Sequence, residues 1–442
     1  MTDKGNIEYR AAPGGSLNGN ARVPGDKSVS HRSIMLGALA DGVTEIEGFL
    51  EGEDSLATLR AFRDMGVVIS DPDAGRVVVQ GVGLHGLNAP KQALDLGNSG
   101  TSMRLIAGLM AGQDFDCTLV GDTSLSRRPM RRVSDPLTEM GAQIETGIEG
   151  TPPLHIHGGG ILHGIDYDMP VASAQVKSSL LLAGLYAQGV TRVKEPAVTR
   201  DHTERMLEAF GYPVQREDGC VSVMGGGRLR PTAINVPGDI SSAAFFIVGA
   251  SIAPDSDILL QGIGINPTRT GVIDIMRLMG ARIDLQNERL EGGEPVADIH
   301  VLSSTLVGID IPEALVPLAI DEFPAIFVAA ACARGTTRLR GARELRVKES
   351  DRIQVMAEGL QALGVDAIPT PDGMIINGGD LRGSRVDSHG DHRIAMSFAM
   401  AALRAKGEIV IDDCQNVATS FPGFPELAGS LGLQLAAVHA DE

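Results

Sequence analysis

Six stretches of this chain are apolar on every side of a helix: IMLGALA (34–40), LIAGLMAG (105–112), LLLAGLYA (180–187), AFFIVGASI (244–252), AIFVAAACA (325–333) and IAMSFAMAAL (394–403). A helix without a polar face belongs inside a core. Ahead of each stands a small polar residue able to cap it: Asp26, Asn98, Ser173, Asp239, Asp321 and Asp391. A strand-like segment begins 16 to 19 residues after each cap, at Thr44, Cys117, Thr191, Asp257, Thr337 and Glu408. The caps recur every 66 to 82 residues, so the pattern predicts six copies of one supersecondary unit.

A second, amphipathic helix follows each strand. In EDSLATLRAFRDMG, Leu56, Leu59 and Phe62 share a face while Arg60, Arg63 and Asp64 turn away. Gly66, Gly141, Gly280 and Gly364 stand where left-handed C-terminal caps are needed. Strands such as RVVVQ, PLHIH, CVSVM and MIING then close five of the six repeats. With a strand before each first helix, the repeat reads βαβαββ. The expected fold is α/β, with two similar domains of three such units, buried helices and outer sheets. Residues 22–239 form an inserted domain, and residues 1–21 join 240–442 in the other. An open solenoid is the alternative, but its units usually span about 20 to 50 residues and its inner helices are less uniformly apolar.

Composition narrows the class. At 442 residues and 43% hydrophobic content the chain can bury large cores. No apolar stretch approaches the ~20 residues needed to cross a bilayer. The opening MTDKGNIEYRAAPGG lacks the basic and apolar regions of a signal peptide, and a cytoplasmic protein is expected. Cys117, Cys220, Cys332 and Cys414 stand singly, without metal-ligand spacing, and read as free thiols. A net charge of −18 argues against nucleic acid. Yet Arg127, Arg128, Arg131 and Arg132 crowd one stretch, and Arg343, Arg346, Lys348 and Arg352 another. Such clusters suit small anions; solvated helix faces are the plainer alternative for either one alone.

The informative residues collect at helix starts: GDKSVSHR (25–32), LGNSGTSMR (96–104), SRRPMRR (126–132), ASAQVKSS (172–179), IDEFPA (320–325), VKESDRI (347–353) and GDHRIAM (390–396). Unsatisfied N–H groups and the helix dipole make such ends anion sites. Simple capping accounts for Asp26 and Asp239. It does not account for Lys27, Arg128 and Arg393 at first-turn positions, where the dipole disfavours a cation. No GxxxxGK[ST] loop is present, which argues against an ATP-driven kinase. His31, His202, His389 and His392 show no metal-ligand spacing.

PGDKSVSHR, LGNSGTSMR, the RRP after LVGD, SAQVKS, TRDHTE, RVKESDR and GDHRIAM, in this order, resemble the enolpyruvyl transferases over essentially the whole chain. The likeness is to the members acting on shikimate 3-phosphate, and SAQVKS, RDHTE and TSFP resemble the second of their two classes. It implies the inside-out α/β barrel of that family. The reaction implied is transfer of the enolpyruvyl group of phosphoenolpyruvate to the 5-hydroxyl of shikimate 3-phosphate, with no metal or cofactor. By the same resemblance, Lys27 would touch both substrates. Ser28, Arg32, Ser173, Gln175, Arg200, Asp321 and Lys348 would hold shikimate 3-phosphate. Gly100, Arg128, Gln175, Arg352 and Arg393 would hold phosphoenolpyruvate. Asp321 would take the hydroxyl proton and Glu349 would protonate the methylene carbon. Addition to an enol needs such an acid and base, and planar guanidinium forks suit phosphate and carboxylate.

Three positions depart from the first class: Thr419 replaces a lysine, Ala174 a serine and Glu344 an asparagine. On spacing alone, Asp321 reads equally well as a cap and Glu349 as a first-turn carboxylate. The ligand residues divide between the two predicted domains, so domain closure around the small-molecule substrates is expected. A monomer is expected, with neither nucleic acid nor membrane as partner. The resemblance further implies that glyphosate occupies the phosphoenolpyruvate pocket beside Gly100. The rivals are a sister enzyme acting on a UDP-sugar, with a loop cysteine as acid, and a non-catalytic repeat scaffold. Cys117, placed at a strand start, fits the first of these poorly.

Overall fold

The computed structural model describes residues 7–439, and among them it forms twelve α-helices and six small sheets. The helices alternate as predicted. The apolar set is α1 (Lys27–Leu39), α3 (Gly100–Met110), α5 (Ala174–Gly184), α7 (Ile240–Ile252), α9 (Phe323–Cys332) and α11 (His392–Ala401). The amphipathic set is α2 (Glu53–Asp64), α4 (Arg131–Glu139), α6 (His202–Ala209), α8 (Gly271–Leu278), α10 (Arg352–Ala362) and α12 (Phe424–Leu431). The strand after each apolar helix begins within one residue of its expected start: Val43, Cys117, Val190, Asp257, Thr336 and Ile409.

Two predicted caps move by one residue. Ser99, not Asn98, caps α3 by accepting from the Ser102 amide, because Asn98 is turned to other partners. Glu322, not Asp321, occupies the cap position of α9, and its side chain makes no capping bond. Asp26, Ser173, Asp239 and Asp391 cap as expected.

All six amphipathic helices end in one motif. After α2, Gly66 N–H donates to Arg63 and Val67 N–H to Phe62. The same pair of bonds recurs at Gly141 and Ala142, Gly211 and Tyr212, Gly280 and Ala281, Gly364 and Val365, and Gly432 and Leu433. Each of these glycines has positive φ, from 75° to 120°, a region that costs glycine nothing. The residue after each glycine is buried, so the motif returns the chain to the core.

The chain groups into two bodies. Gly25–Val236 with Leu290–Glu294 make the inserted body; segments ending at Pro24, running Pro237–Arg289 and starting at Pro295 make the discontinuous body. The sequence pattern gives no sign of the short Leu290–Glu294 excursion. Each body has its own hydrophobic core, built from three apolar helices and the inner faces of three sheets. Where α3 and α5 cross, Gly108 lets the Ser179 carbonyl approach; a Cβ there would lie 2.2 Å from that oxygen.

The sheets exchange strands at the crossings. In the second, third and sixth repeats the strand before the apolar helix runs parallel to the strand after it, as for Leu94–Asp95 beside Cys117–Val120. The strand before α1, Asn18–Ala21, instead pairs with Asp257–Gly264 in the discontinuous body. The strand before α7, Ala233–Asn235, pairs with Val43–Glu47 in the inserted body. The sixth repeat lacks a hairpin of its own, and Ile7–Ala11 completes its sheet between Ile409–Asp412 and Leu435–His439.

Candidate active site

In the inserted body, the functional side chains cluster at the starts of α1, α3 and α5. Lys27 is the first residue of α1, and its Nζ lies 2.8 Å from Asp54 Oδ2 on α2, which offsets the dipole's penalty for a cation there. Ser28 follows, half-buried, and its carbonyl accepts from Arg32 Nη1 at 2.9 Å. Arg32 is only 4% exposed. Its Nε donates to Thr203 Oγ1 at 2.7 Å and its Nη2 to Ser178 Oγ at 2.9 Å. Burial lowers its pKa to about 10, partly countered by Glu204.

Gly100 is the first residue of α3; a Cβ there would meet Arg104 Nη1 at 2.9 Å and Arg128 Nη1 at 3.1 Å. Two guanidinium groups thus flank the bare backbone. Arg128 does not stand in a helical first turn. It ends the 3₁₀ turn Leu125–Arg127 in extended conformation, three residues before α4, and the proline at 129 restricts it to that region. Its Nη2 donates to Asn98 Oδ1 at 2.7 Å. Arg131 and Arg132, which do open α4, are exposed.

Ser173 caps α5, and Gln175 in its first turn joins two helices. Gln175 Oε1 accepts from Arg104 Nη1 at 2.6 Å and its Nε2 donates to Thr101 Oγ1 at 2.9 Å. Arg104 was not among the candidates; it ends the LGNSGTSMR motif, and its spacing four residues from Gly100 was the available signal. Beneath these groups His31 Nδ1 bonds Thr58 Oγ1 at 2.8 Å, and hydroxyl contacts continue through Ser102 to Ser99. Burial, with Lys27 and Arg32 nearby, holds His31 well below the usual imidazole range, so it is neutral. Arg200 sits half-buried in the loop leading into α6.

The discontinuous body gathers the other candidates around one guanidinium. Arg352 opens α10 and is 1% exposed. It donates to Asp391 through Nε at 2.8 Å and Nη2 at 3.3 Å, to Glu349 Oε2 at 2.6 Å and to Asp321 Oδ1 at 3.4 Å. Burial alone would lower its pKa; Asp391, Glu349 and Asp321 outweigh that and raise it. Asp391, buried and opposed by Arg352, titrates below the ordinary carboxylate range. Lys348 Nζ lies 3.1 Å from the same Asp321 oxygen, so two cations meet at that carboxyl group. Arg393, the second residue of α11, donates to the Asp321 carbonyl at 3.2 Å.

Behind Asp321 lies a second charge group that sequence reasoning missed. Glu322 is buried 3.7 Å from both Arg393 Nη1 and Arg269 Nη2, and accepts from Ser241 Oγ. Its adjacency to Asp321 in IDEFPA was the only sequence signal. Thr419 is buried with its hydroxyl donating to the Asn416 carbonyl at 2.7 Å, so it does not substitute for a lysine. Burial raises Cys117 to about 12, which disqualifies it as an acid near neutrality. Among the described residues no group of His, Cys, Asp and Glu has the arrangement of a metal site.

Comparisons with known proteins place the chain in a family. A sequence model described as EPSP synthase (3-phosphoshikimate 1-carboxyvinyltransferase) matches residues 11–427. The chain is 70% identical over 430 residues to the 3-phosphoshikimate 1-carboxyvinyltransferase of Alkalilimnicola ehrlichii, covering 97% of this chain and 96% of that one. It is 68% identical to the protein of the same name from Nitrosococcus oceani, covering 97% of both. Among solved structures, EPSP synthase from Acinetobacter baumannii superposes with a TM-score of 0.89 at 59% identity, covering 98% of this chain and all of that one. The enolpyruvyl transferase NikO from Streptomyces tendae shares the fold at a TM-score of 0.80 and 17% identity, over 99% of this chain and all of that one.

Proposed function

This chain belongs to the EPSP synthase family, and from that premise we propose how its residues divide the work of the reaction. The enzyme transfers the enolpyruvyl group of phosphoenolpyruvate to the 5-hydroxyl of shikimate 3-phosphate and releases phosphate. This is a step of aromatic amino acid biosynthesis. The observation that carries the assignment of roles is the pairing of Asp321 and Glu349 on one buried guanidinium, Arg352, with Lys348 alongside.

Asp321 accepts the proton of the 5-hydroxyl as its oxygen attacks C2 of phosphoenolpyruvate. Glu349, 27% exposed at its side chain, delivers a proton to the methylene carbon, C3. The C2–C3 π pair takes that proton, and a tetrahedral adduct forms. Loss of a proton from C3 then restores the double bond as the C2–O bond to phosphate breaks. Proton transfers of this kind contribute roughly 10²–10⁴-fold each.

Lys27 contacts both substrates. Ser28, Arg32, Ser173, Gln175, Arg200, Asp321 and Lys348 hold shikimate 3-phosphate, while Gly100, Arg128, Gln175, Arg352 and Arg393 hold phosphoenolpyruvate. Arg352 acts through its charge and its three carboxylates more than by a free fork, since it already makes four hydrogen bonds. The proposed domains are residues 22–239 and residues 1–21 with 240–442. The enzyme works as a cytoplasmic monomer on small molecules alone, in keeping with its net charge of −18.

Phosphate release with both substrates tests the reading. Asp321→Asn is expected to lower kcat roughly 10²–10⁴-fold with a folded protein. A variant with near-normal kcat would remove Asp321 as the base.

A further inference from the structure

Lys177 is 1% exposed at its side chain and lies one turn into α5, its amide bonded to the Ser173 carbonyl. Its Nζ lies 2.9 Å from Glu195 Oε2 and 2.7 Å from Glu204 Oε1. Glu195 begins the seven-residue loop 195–201 that carries Arg200, and Glu204 is on α6 beyond it. The other oxygen of Glu195 accepts from the hydroxyl of Thr199, the residue before Arg200. One buried cation thus joins the helix that starts with Ser173 and Gln175 to the loop that presents Arg200.

Stability alone does not explain the arrangement. Desolvating a lysine and two carboxylates costs several kcal/mol per ion, and a well-packed apolar trio often serves a core as well or better. What charge pairing adds is a fixed geometry. The ends of the loop have their own ties, from Glu195 N–H to the Gly219 carbonyl at 3.3 Å and from Arg205 Nε to Asp201 at 2.8 Å. Its middle is exposed at Pro196, Ala197 and Val198, while Thr199 turns inward onto Glu195. The tether through Thr199 and Glu195 to Lys177 therefore sets where Arg200 stands.

We propose that Lys177, through Glu195 and Thr199, is a positioning residue for recognition of shikimate 3-phosphate. It fixes Arg200 against the Ser173–Gln175 end of α5. The inference rests on the assignment of Arg200 to that substrate. Three variants separate the two claims. Thr199→Val cuts the tether at its far end without placing a charge in the core. Lys177→Met with Glu204→Gln removes the anchor and the more buried of its two counter-charges together. Arg200→Ala removes the presented group.

Steady-state kinetics and thermal melts are the readouts. Both tether variants are expected to raise the KM for shikimate 3-phosphate roughly tenfold, while the KM for phosphoenolpyruvate at saturating shikimate 3-phosphate stays within about twofold. The Tm of Thr199→Val should fall by no more than a few degrees, as for one lost hydrogen bond. If both tether variants leave the KM for shikimate 3-phosphate unchanged while Arg200→Ala raises it, the tether is only structural and the inference is wrong. Equal rises in both KM values would overturn it as well. An unchanged KM in Arg200→Ala would overturn the underlying assignment, and the inference with it.

Discussion

The two bodies solve the same placement problem with opposite electrostatics. In the inserted body, cations at the helix starts lean mostly on neutral groups: Arg128 on Asn98, Arg104 on Gln175, Arg32 on Thr203 and Ser178. Amide and hydroxyl partners of this kind orient a guanidinium without themselves carrying an opposite charge. In the discontinuous body the cations lean on acids: Arg352 on Asp391, Glu349 and Asp321, and Arg269 on Asp239 and Glu322. There each cation lies against carboxylates. In the proposed reading, anion capture falls to the first set and acid–base work to the second.

The contrast breaks hardest at Asp391. Replacing it with Asn leaves Arg352 short of its bidentate partner in a buried site, and chemical denaturation should record a loss of about 3–5 kcal/mol. A loss below ~1 kcal/mol would mean that the acid lattice is dispensable to the fold. Asn98→Asp tests the other side by giving Arg128 a charged partner of the same shape. The KM for phosphoenolpyruvate should rise roughly tenfold, as expected when a charged hydrogen bond to ligand is weakened, and Tm should fall, because the amide that donates to Asp122 is lost. Tighter binding instead would show that neutrality of the partner is irrelevant.

Smaller effects sharpen the picture. Ser102→Ala removes the hydroxyl between Thr58 and Ser99 and should cost about 1 kcal/mol by denaturation. His31 supplies a pH signature. Its folded pKa is depressed, so below about pH 6.5 the unfolded chain binds a proton that the folded one excludes, and stability falls as pH drops through that point. His31→Asn should flatten the stability curve between about pH 6.5 and 5. The Asp391 contribution, also from a depressed folded pKa, persists to lower pH and is lost only below the ordinary carboxylate range. An unaltered curve in His31→Asn would place the acid sensitivity elsewhere.

The repeat was legible because it is written in periodicity, and periodicity is local. Uniformly apolar helices, capping residues and terminal glycines each leave a mark within about ten residues, which is why strand starts fell within one position. The misplaced caps show the limit: Asn98 and Ser99 are both good caps, and only the tertiary pull of Arg128 and Asp122 on Asn98 decides between them. Motif order is what nominates the candidate site residues. Arg104, Glu322 and Asp391 meet partners from other repeats, and no spacing along the chain announces such a meeting. The strand exchange before α1 and α7 was likewise hidden, because a parallel strand carries no mark of which neighbour it joins.

The sheet of the sixth repeat has a consequence for biosynthesis. Tyr9 pairs with Ile411, so this strand waits during synthesis for a partner made some 400 residues later. At bacterial and eukaryotic elongation speeds that delay is on the order of 20–80 s. The inserted body, whose last segment is Leu290–Glu294, is made well before that partner, whereas Ile7–Ala11 presents unsatisfied amides that invite promiscuous association. The nascent enzyme is most vulnerable to aggregation at this open strand, until its sheet is sealed.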